Sequence, residues 1–309
     1  MSMSARDTDS GHREEPDRRT PIEDQEYSFA GIGNEPEVEL ERALRENWLE
    51  IWYQPKIDLR RKCLAGAEAL ARIRHPRGGM LLPENFLPAS DEAGLVRLAE
   101  HALLATLRDW TTFNDAGFNL HLAINVPVNV LLRLPIPVLV RENRPRDESW
   151  PGLIVEVTED QIVRDIALAN DIAKQLKVAG VTVSIDDFGG GYSSFASLRE
   201  LPFAELKLDD TFVKNCATEG TNGAICQTAI DLAHRFGSKA VAEGIENLAD
   251  LQALQVMRCD FGQGILLAPP MPRDRFIGLL NQRRNKPSEP QESVAKTCPA
   301  APSDVGRVA

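Results

Sequence analysis

The chain has 309 residues, 43% hydrophobic and 26% charged, so it holds enough apolar material for a large core and needs no disulfide or metal in order to fold. Lys plus Arg total 35 against 46 Asp plus Glu, a net charge of −11 with a pI near 5.1, which excludes bulk binding to DNA, RNA or an anionic membrane through surface charge. The five cysteines are scattered and never spaced C-x-x-C, so no disulfide framework or zinc site is readable and small buried apolar residues are the simpler account. The first 27 residues alternate charges without an apolar h-region, and no uncharged apolar run reaches membrane-spanning length. A soluble, cytoplasmic protein without a membrane segment is expected.

In chain order, residues 1–35 are polar and turn-rich and are expected to be an unstructured tail. A leading helix over Glu37–Glu46 precedes a first strand at Leu49–Tyr53. Further strands are predicted at Leu64–Ala71, Asn119–Ile124, Leu153–Val157, Val181–Ile185, Glu205–Leu208, Lys239–Ala242 and Asp260–Gly264. Helical periodicity falls between them at Val96–Phe113, Ala167–Ala179, Ala224–Phe236 and Leu248–Met257, then at Arg273–Leu280. From residue 284 to 309 the Pro-rich polar run offers nothing to bury and reads as a second tail. Eight strands with intervening helices over residues 36–283 fit one (β/α)8 TIM-like barrel. A doubly wound open sheet is the alternative by pattern alone.

Polar residues stand at or just past each apolar run: Gln54, Glu68, Asn125, Glu156, Asp186 with Asp187, Lys207, Glu243 and Gln263. Each has an ordinary explanation: Glu68 as a helix-surface residue, Asn125 as a helix cap, Asp186-Asp187 as a turn, Lys207 as a surface-edge lysine. Glu156, between Val155 and Val157, is costly to bury unless paired or bound to metal. Together they form a set that a barrel would gather at one rim, where barrel active sites are built. Five carboxylates (Glu68, Glu156, Asp186, Asp187, Glu243) against Lys207 leave four negative charges, which two divalent cations would neutralise. An all-oxygen donor set without Cys or His favours Mg²⁺ or Mn²⁺ over zinc, and two such ions serve to clamp the attacking and leaving oxygens of a phosphoryl displacement.

The segments Tyr53-Gln54-Pro55, Glu68-Ala69-Leu70-Ala71-Arg72, Asn125-Val126, Glu156-Val157-Thr158-Glu159, Asp186-Asp187-Phe188-Gly189, Leu206-Lys207-Leu208-Asp209, Ala242-Glu243-Gly244-Ile245-Glu246 and Gln263-Gly264, in this order, resemble the EAL domain family of bacterial cyclic di-GMP phosphodiesterases. The resemblance implies a barrel whose first strand is antiparallel to the others. It implies that Glu68, Asn125, Glu156 and Asp186 hold one metal, that Asp186 bridges to a second held by Asp187, and that Glu243 supports the cluster. Lys207 would contact the attacking water, while Gln54, Leu70, Arg72 and Gln263 would lie along cyclic di-GMP. Glu159 would stabilise the loop Asp187–Ser194, which in the family leads to a dimer-forming helix, with Glu246 nearby. The expected activity is metal-dependent hydrolysis of cyclic di-GMP to linear pGpG; a weak or inactive cyclic di-GMP receptor or scaffold acting through protein partners is the alternative.

Three positions depart from the family pattern. Gly190 stands where Thr is usual and gives three consecutive glycines, Pro127 stands where Ser is common, and Ile265 where an aromatic often follows Gln-Gly. None removes a proposed ligand, and the glycine run is expected to loosen the loop. No cyclase, receiver or sensory domain is expected in the 35 residues before the barrel. A homodimer follows from the resemblance only, and an unknown protein partner for the tails stays open.

Overall fold

A computed structural model of the chain describes residues 40–164, 166–190 and 201–284. The strands are β1 (Leu49–Asp58), β2 (Cys63–His75), β3 (Gly79–Leu81), β4 (His121–Asn125), β5 (Leu153–Thr158), β6 (Val181–Phe188), β7 (Glu205–Leu208), β8 (Lys239–Ala242), β9 (Phe261–Gly262) and β10 (Met271–Pro272). From β2 through β4, β5, β6, β7 and β8 to β9 neighbours are parallel. The ring closes because β1 pairs antiparallel with β2 on one side and with β9 on the other. That closure yields an eight-stranded barrel with an antiparallel first strand, and it rules out the open doubly wound sheet. The short β3 and β10 extend the β2 and β1 edges.

The first two strands are longer than their apolar runs. Polar Gln54 and Lys56 interrupt the pattern in β1, yet both find partners on the inner face, so the ladder with β2 continues from Leu49 to Asp58. Because β1 runs the other way, Gln54 does not end a strand at the active rim. It sits in mid-strand directly opposite Glu68, itself in mid-strand on β2.

Long helices at Glu92–Asp115, Ile166–Val178, Gly220–Arg235, Leu248–Val256 and Arg273–Arg284 match the periodic segments to within a few residues. Asp91 caps the first, accepting from Gly94 N at 2.7 Å. Five short helical turns, at Pro83–Phe86, Val128–Leu131, Ile136–Asn143, Glu159–Arg164 and Asp210–Val213, were too brief for a period to show. Strand alternation divides the side chains: residues such as Tyr53 turn outward to the helices and Gln54 inward. Tyr53, Phe113 and Phe276 form the aromatic centre of that outer core, with ring centroids 5.0 to 5.9 Å apart. The Tyr53 hydroxyl donates to Asp109 Oδ2 at 2.7 Å.

Cys216, Cys226 and Cys259 are buried free thiols, as expected of small apolar residues. Cys63 is buried as well. Among the described residues no helix is long and apolar enough to cross a membrane.

Candidate active site

Four strands bring their inward carboxylates to one point, and Lys207 of β7 fills it. Its Nζ lies 2.5 Å from Glu243 Oε1, 2.8 Å from Glu156 Oε2, 3.0 Å from Asp186 Oδ1 and 3.6 Å from Glu68 Oε2. Lys207 is 1% exposed, so the surface-edge reading does not describe it. Glu243 Oε1 meets the ammonium as an ion pair without hydrogen-bond geometry, which leaves that buried oxygen short of a donor.

Amides complete the shell. Asn125, last residue of β4, donates from Nδ2 to Glu68 Oε1 at 2.7 Å, and Gln263, just past β9, donates to Glu68 Oε2 at 2.5 Å. Asn125 therefore belongs to the cluster, and Pro127 takes the cap of the Val128–Leu131 turn. Gln263 keeps a buried Oε1 without a donor, the kind of orphan that a bound group satisfies.

One ammonium cannot balance this much negative charge. Burial raises the Glu156 carboxyl well above its ordinary range, and neighbouring Glu68 pushes it further. Burial also lifts Glu243 to about 8 against the pull of Lys207. Glu68 goes the other way: burial works to raise it, but Lys207 and the two amides hold it low. For Lys207 itself burial would lower the ammonium, and the surrounding carboxylates overcome that and raise it. Asp187, exposed and with a left-handed backbone (φ 55°), is pushed up to about 6 by partial burial and by Asp186 beside it.

Among the described residues no group of three or more His, Cys, Asp or Glu stands in metal-holding geometry, and the Lys207 ammonium occupies the point where the carboxylates converge. The donor chemistry nonetheless fits a hard divalent cation: carboxylate oxygens, one side-chain amide oxygen, no sulfur, and acidity that is unrelieved without more positive charge.

Around this centre opens a pocket of about 340 Å³ lined by Gln54, Asp187, Asp210, Glu243, Glu246 and Gln263 among others. Gln54 Nε2 reaches Ala268 O at 3.4 Å. Leu70 and Arg72 continue the inner face of β2 beyond Glu68 by alternation, Leu70 half-buried and Arg72 buried with Nη1 on Ala71 O at 2.8 Å. Glu159, buried, accepts from Gly189 N at 3.0 Å, which ties it to the start of the expected loop; residues 191–194 of that loop lie outside the described residues. Glu246 is exposed at the rim and pairs with Lys214 at 3.6 Å. Gly244 has φ 63°, and a Cβ there would stand 2.5 Å from Asp210 Cβ, so only glycine lets the chain turn after Glu243.

Sequence reasoning missed Asp210, which follows the Leu206–Asp209 motif and lines the mouth. It also missed the buried pair of Lys56 Nζ with Glu205 Oε1 and Oε2, at 2.7 and 2.5 Å, deeper in the barrel. The two-residue spacing of Glu205 and Lys207 on one face of β7 was the available signal.

The fold and site together define a (β/α)8-type barrel protein whose strands deliver a carboxylate and lysine cluster to one rim. The EAL domain family model matches residues 37–270, and the chain belongs to that family. It is 35% identical over 242 residues to the bifunctional diguanylate cyclase/cyclic di-GMP phosphodiesterase MucR of Pseudomonas aeruginosa, covering 77% of this chain and 35% of that protein. It is 33% identical over 241 residues to the cyclic di-GMP phosphodiesterase RocR of the same organism, covering 76% of this chain and 61% of that one. The chain thus spans about a third of MucR's length. Among solved structures, the MucR phosphodiesterase in complex with c-di-GMP superposes with a TM-score of 0.71 at 35% identity, over 77% of this chain and 97% of that one. The EAL enzyme Bd1971, in its cAMP- and cyclic-di-GMP-bound form, gives 0.71 at 26% identity over 78% and 67%.

Proposed function

We propose that residues 36–283 form a metal-dependent phosphodiesterase that hydrolyses cyclic di-GMP to linear pGpG. The observation that carries this reading is the convergence of Glu68, Glu156, Asp186 and Glu243 on Lys207, with both Glu68 oxygens held by amides of Asn125 and Gln263. Family membership and the names of the relatives support the choice of substrate.

Glu68, Asn125, Glu156, Asp186 and Asp187 would hold two divalent cations, Mg²⁺ or Mn²⁺, with Glu243 in support. Such ions, when bound, supply positive charge for the substrate phosphate and make water more acidic. The chain's own groups do the rest. Lys207 would donate a hydrogen bond from Nζ to the attacking oxygen, orienting it, and would offset charge that develops on the phosphoryl oxygens. Glu68 is pre-oriented by two amides, so no reorganisation of that carboxylate is needed when substrate binds. Gln54, Leu70, Arg72 and Gln263 line the path of the dinucleotide, Arg72 offering its guanidinium to a phosphate. Glu159, through Gly189, fixes the backbone that presents Asp187.

The test is incubation of the purified chain with cyclic di-GMP and Mg²⁺ or Mn²⁺, followed by chromatography for pGpG. Wild type should produce it, and Glu68→Ala and Glu243→Ala should lose it while keeping the native circular dichroism. Cyclic di-GMP binding without turnover in either metal would assign the chain a receptor role instead.

A further inference from the structure

The carboxylates gather at one end of the barrel, and the opposite end is basic. A cavity of about 1010 Å³ opens there, where β4 and β8 begin and antiparallel β1 ends. Its wall carries five permanently cationic side chains, Arg60, Arg61, Lys62, Lys239 and Arg258, against two carboxylates, Asp58 and Asp260.

Both carboxylates are already engaged. Asp260 accepts from Lys239 Nζ at 2.8 Å and from Ala240 N at 3.0 Å, with His234 Nε2 at 2.7 Å. Asp58 Oδ1 accepts from the backbone of Arg60 and Arg61 at 3.0 and 2.7 Å, and Arg61 approaches its other oxygen only to 4.0 Å. Arg60, Lys62 and Arg258 have no carboxylate partner among the described residues. In a chain of net charge −11, such a local excess of cations attracts anions to this end.

Two further features describe the ligand. The cavity is far larger than an inorganic phosphate requires and matches the upper range of small-molecule sites. Asn119 lines it with a buried Oδ1 that has no donor, its Nδ2 being tied to Ser149 O at 2.7 Å. An amino or ring N–H group would satisfy that acceptor, and the half-buried ring of Phe261 on the same wall offers a flat apolar contact.

We propose that this cavity binds a nucleoside triphosphate, its phosphates on Arg60, Lys62 and Arg258 and its base toward Asn119 and Phe261. The site is separate from the acidic rim, because the buried Lys56 and Glu205 pair lies across the barrel interior between the two ends.

The test is isothermal titration of the full chain with ATP and, separately, with pyrophosphate, in EDTA at low salt so that the acidic rim repels both probes. ATP should bind, at least tenfold more tightly than pyrophosphate. Arg258→Glu and Arg60→Glu should each weaken ATP at least tenfold and leave basal turnover of cyclic di-GMP unchanged. Glu243→Ala should leave ATP affinity intact. Absence of ATP binding at millimolar concentration, an affinity indifferent to both charge reversals, or loss of binding in Glu243→Ala would overturn the site. Equal affinity for pyrophosphate would overturn the nucleoside part. Should Arg258→Glu fail to fold, Arg60→Glu, on an exposed turn, decides the question alone.

Discussion

Replacing Lys207 with methionine removes the one positive charge at the centre of the cluster while keeping the length of the side chain. Four carboxylates, at 2.5, 2.8, 3.0 and 3.6 Å, then face one another without it. Breaking a buried ion pair by deleting one partner costs about 3–5 kcal/mol, and the carboxylates limit the loss by taking up protons. For a domain of this size each kcal/mol corresponds to roughly 2–4 °C, so the metal-free Lys207→Met protein should melt about 6–20 °C below wild type at neutral pH. The deficit should shrink near pH 5, where the carboxylates are more protonated, and shrink again on adding Mg²⁺. Thermal melts in EDTA and in Mg²⁺ at both pH values measure all of this, and turnover of cyclic di-GMP should fall in parallel. If Lys207→Met in EDTA at neutral pH melts within about 2 °C of wild type, roughly 1 kcal/mol, the lysine is not the counter-charge of the cluster and the reasoning fails.

Three other outcomes are expected. Glu243 is raised to about 8 and Asp187 to about 6, from ordinary values of 4.5 and 3.8, so the folded metal-free protein keeps protons that the unfolded chain has lost; its stability should fall as pH rises from about 4.5 to 8, and saturating Mg²⁺ should flatten that slope in melts. Gly190→Ala should be accepted, since among the described residues a Cβ there meets only Asp209 Oδ2 at 3.7 Å and Asp187 O at 3.8 Å and the backbone is not left-handed; urea unfolding should show a gain of about 0.4–1 kcal/mol, and a loss would mean the glycine run is required. Tyr53→Phe should cost about 1–3 kcal/mol by leaving Asp109 with one donor fewer, chiefly Arg273 at 3.2 Å; because Tyr53 faces the helices, turnover of the folded variant should be unchanged.

Most of the site could be read from the sequence because strands place alternate residues on one face, and a lone charge inside an apolar run, as at Glu156 or Lys207, is unstable there unless others meet it. The positions of the long helices followed from their period, and the short turns did not, since four to eight residues contain too little repeat to detect. Which charges meet was beyond sequence. Lys56 and Glu205, 149 residues apart, pair at 2.5 Å only because closure of the ring by an antiparallel β1 brings their strands across the barrel from each other. The same reversal puts Gln54 beside Glu68 and sends the end of β1, with Arg60 to Lys62 after it, to the far rim. Local patterning thus determined the elements and the inventory of chemical groups; the direction of one strand decided which groups share an end of the barrel, because that choice depends on contacts between residues far apart in the chain.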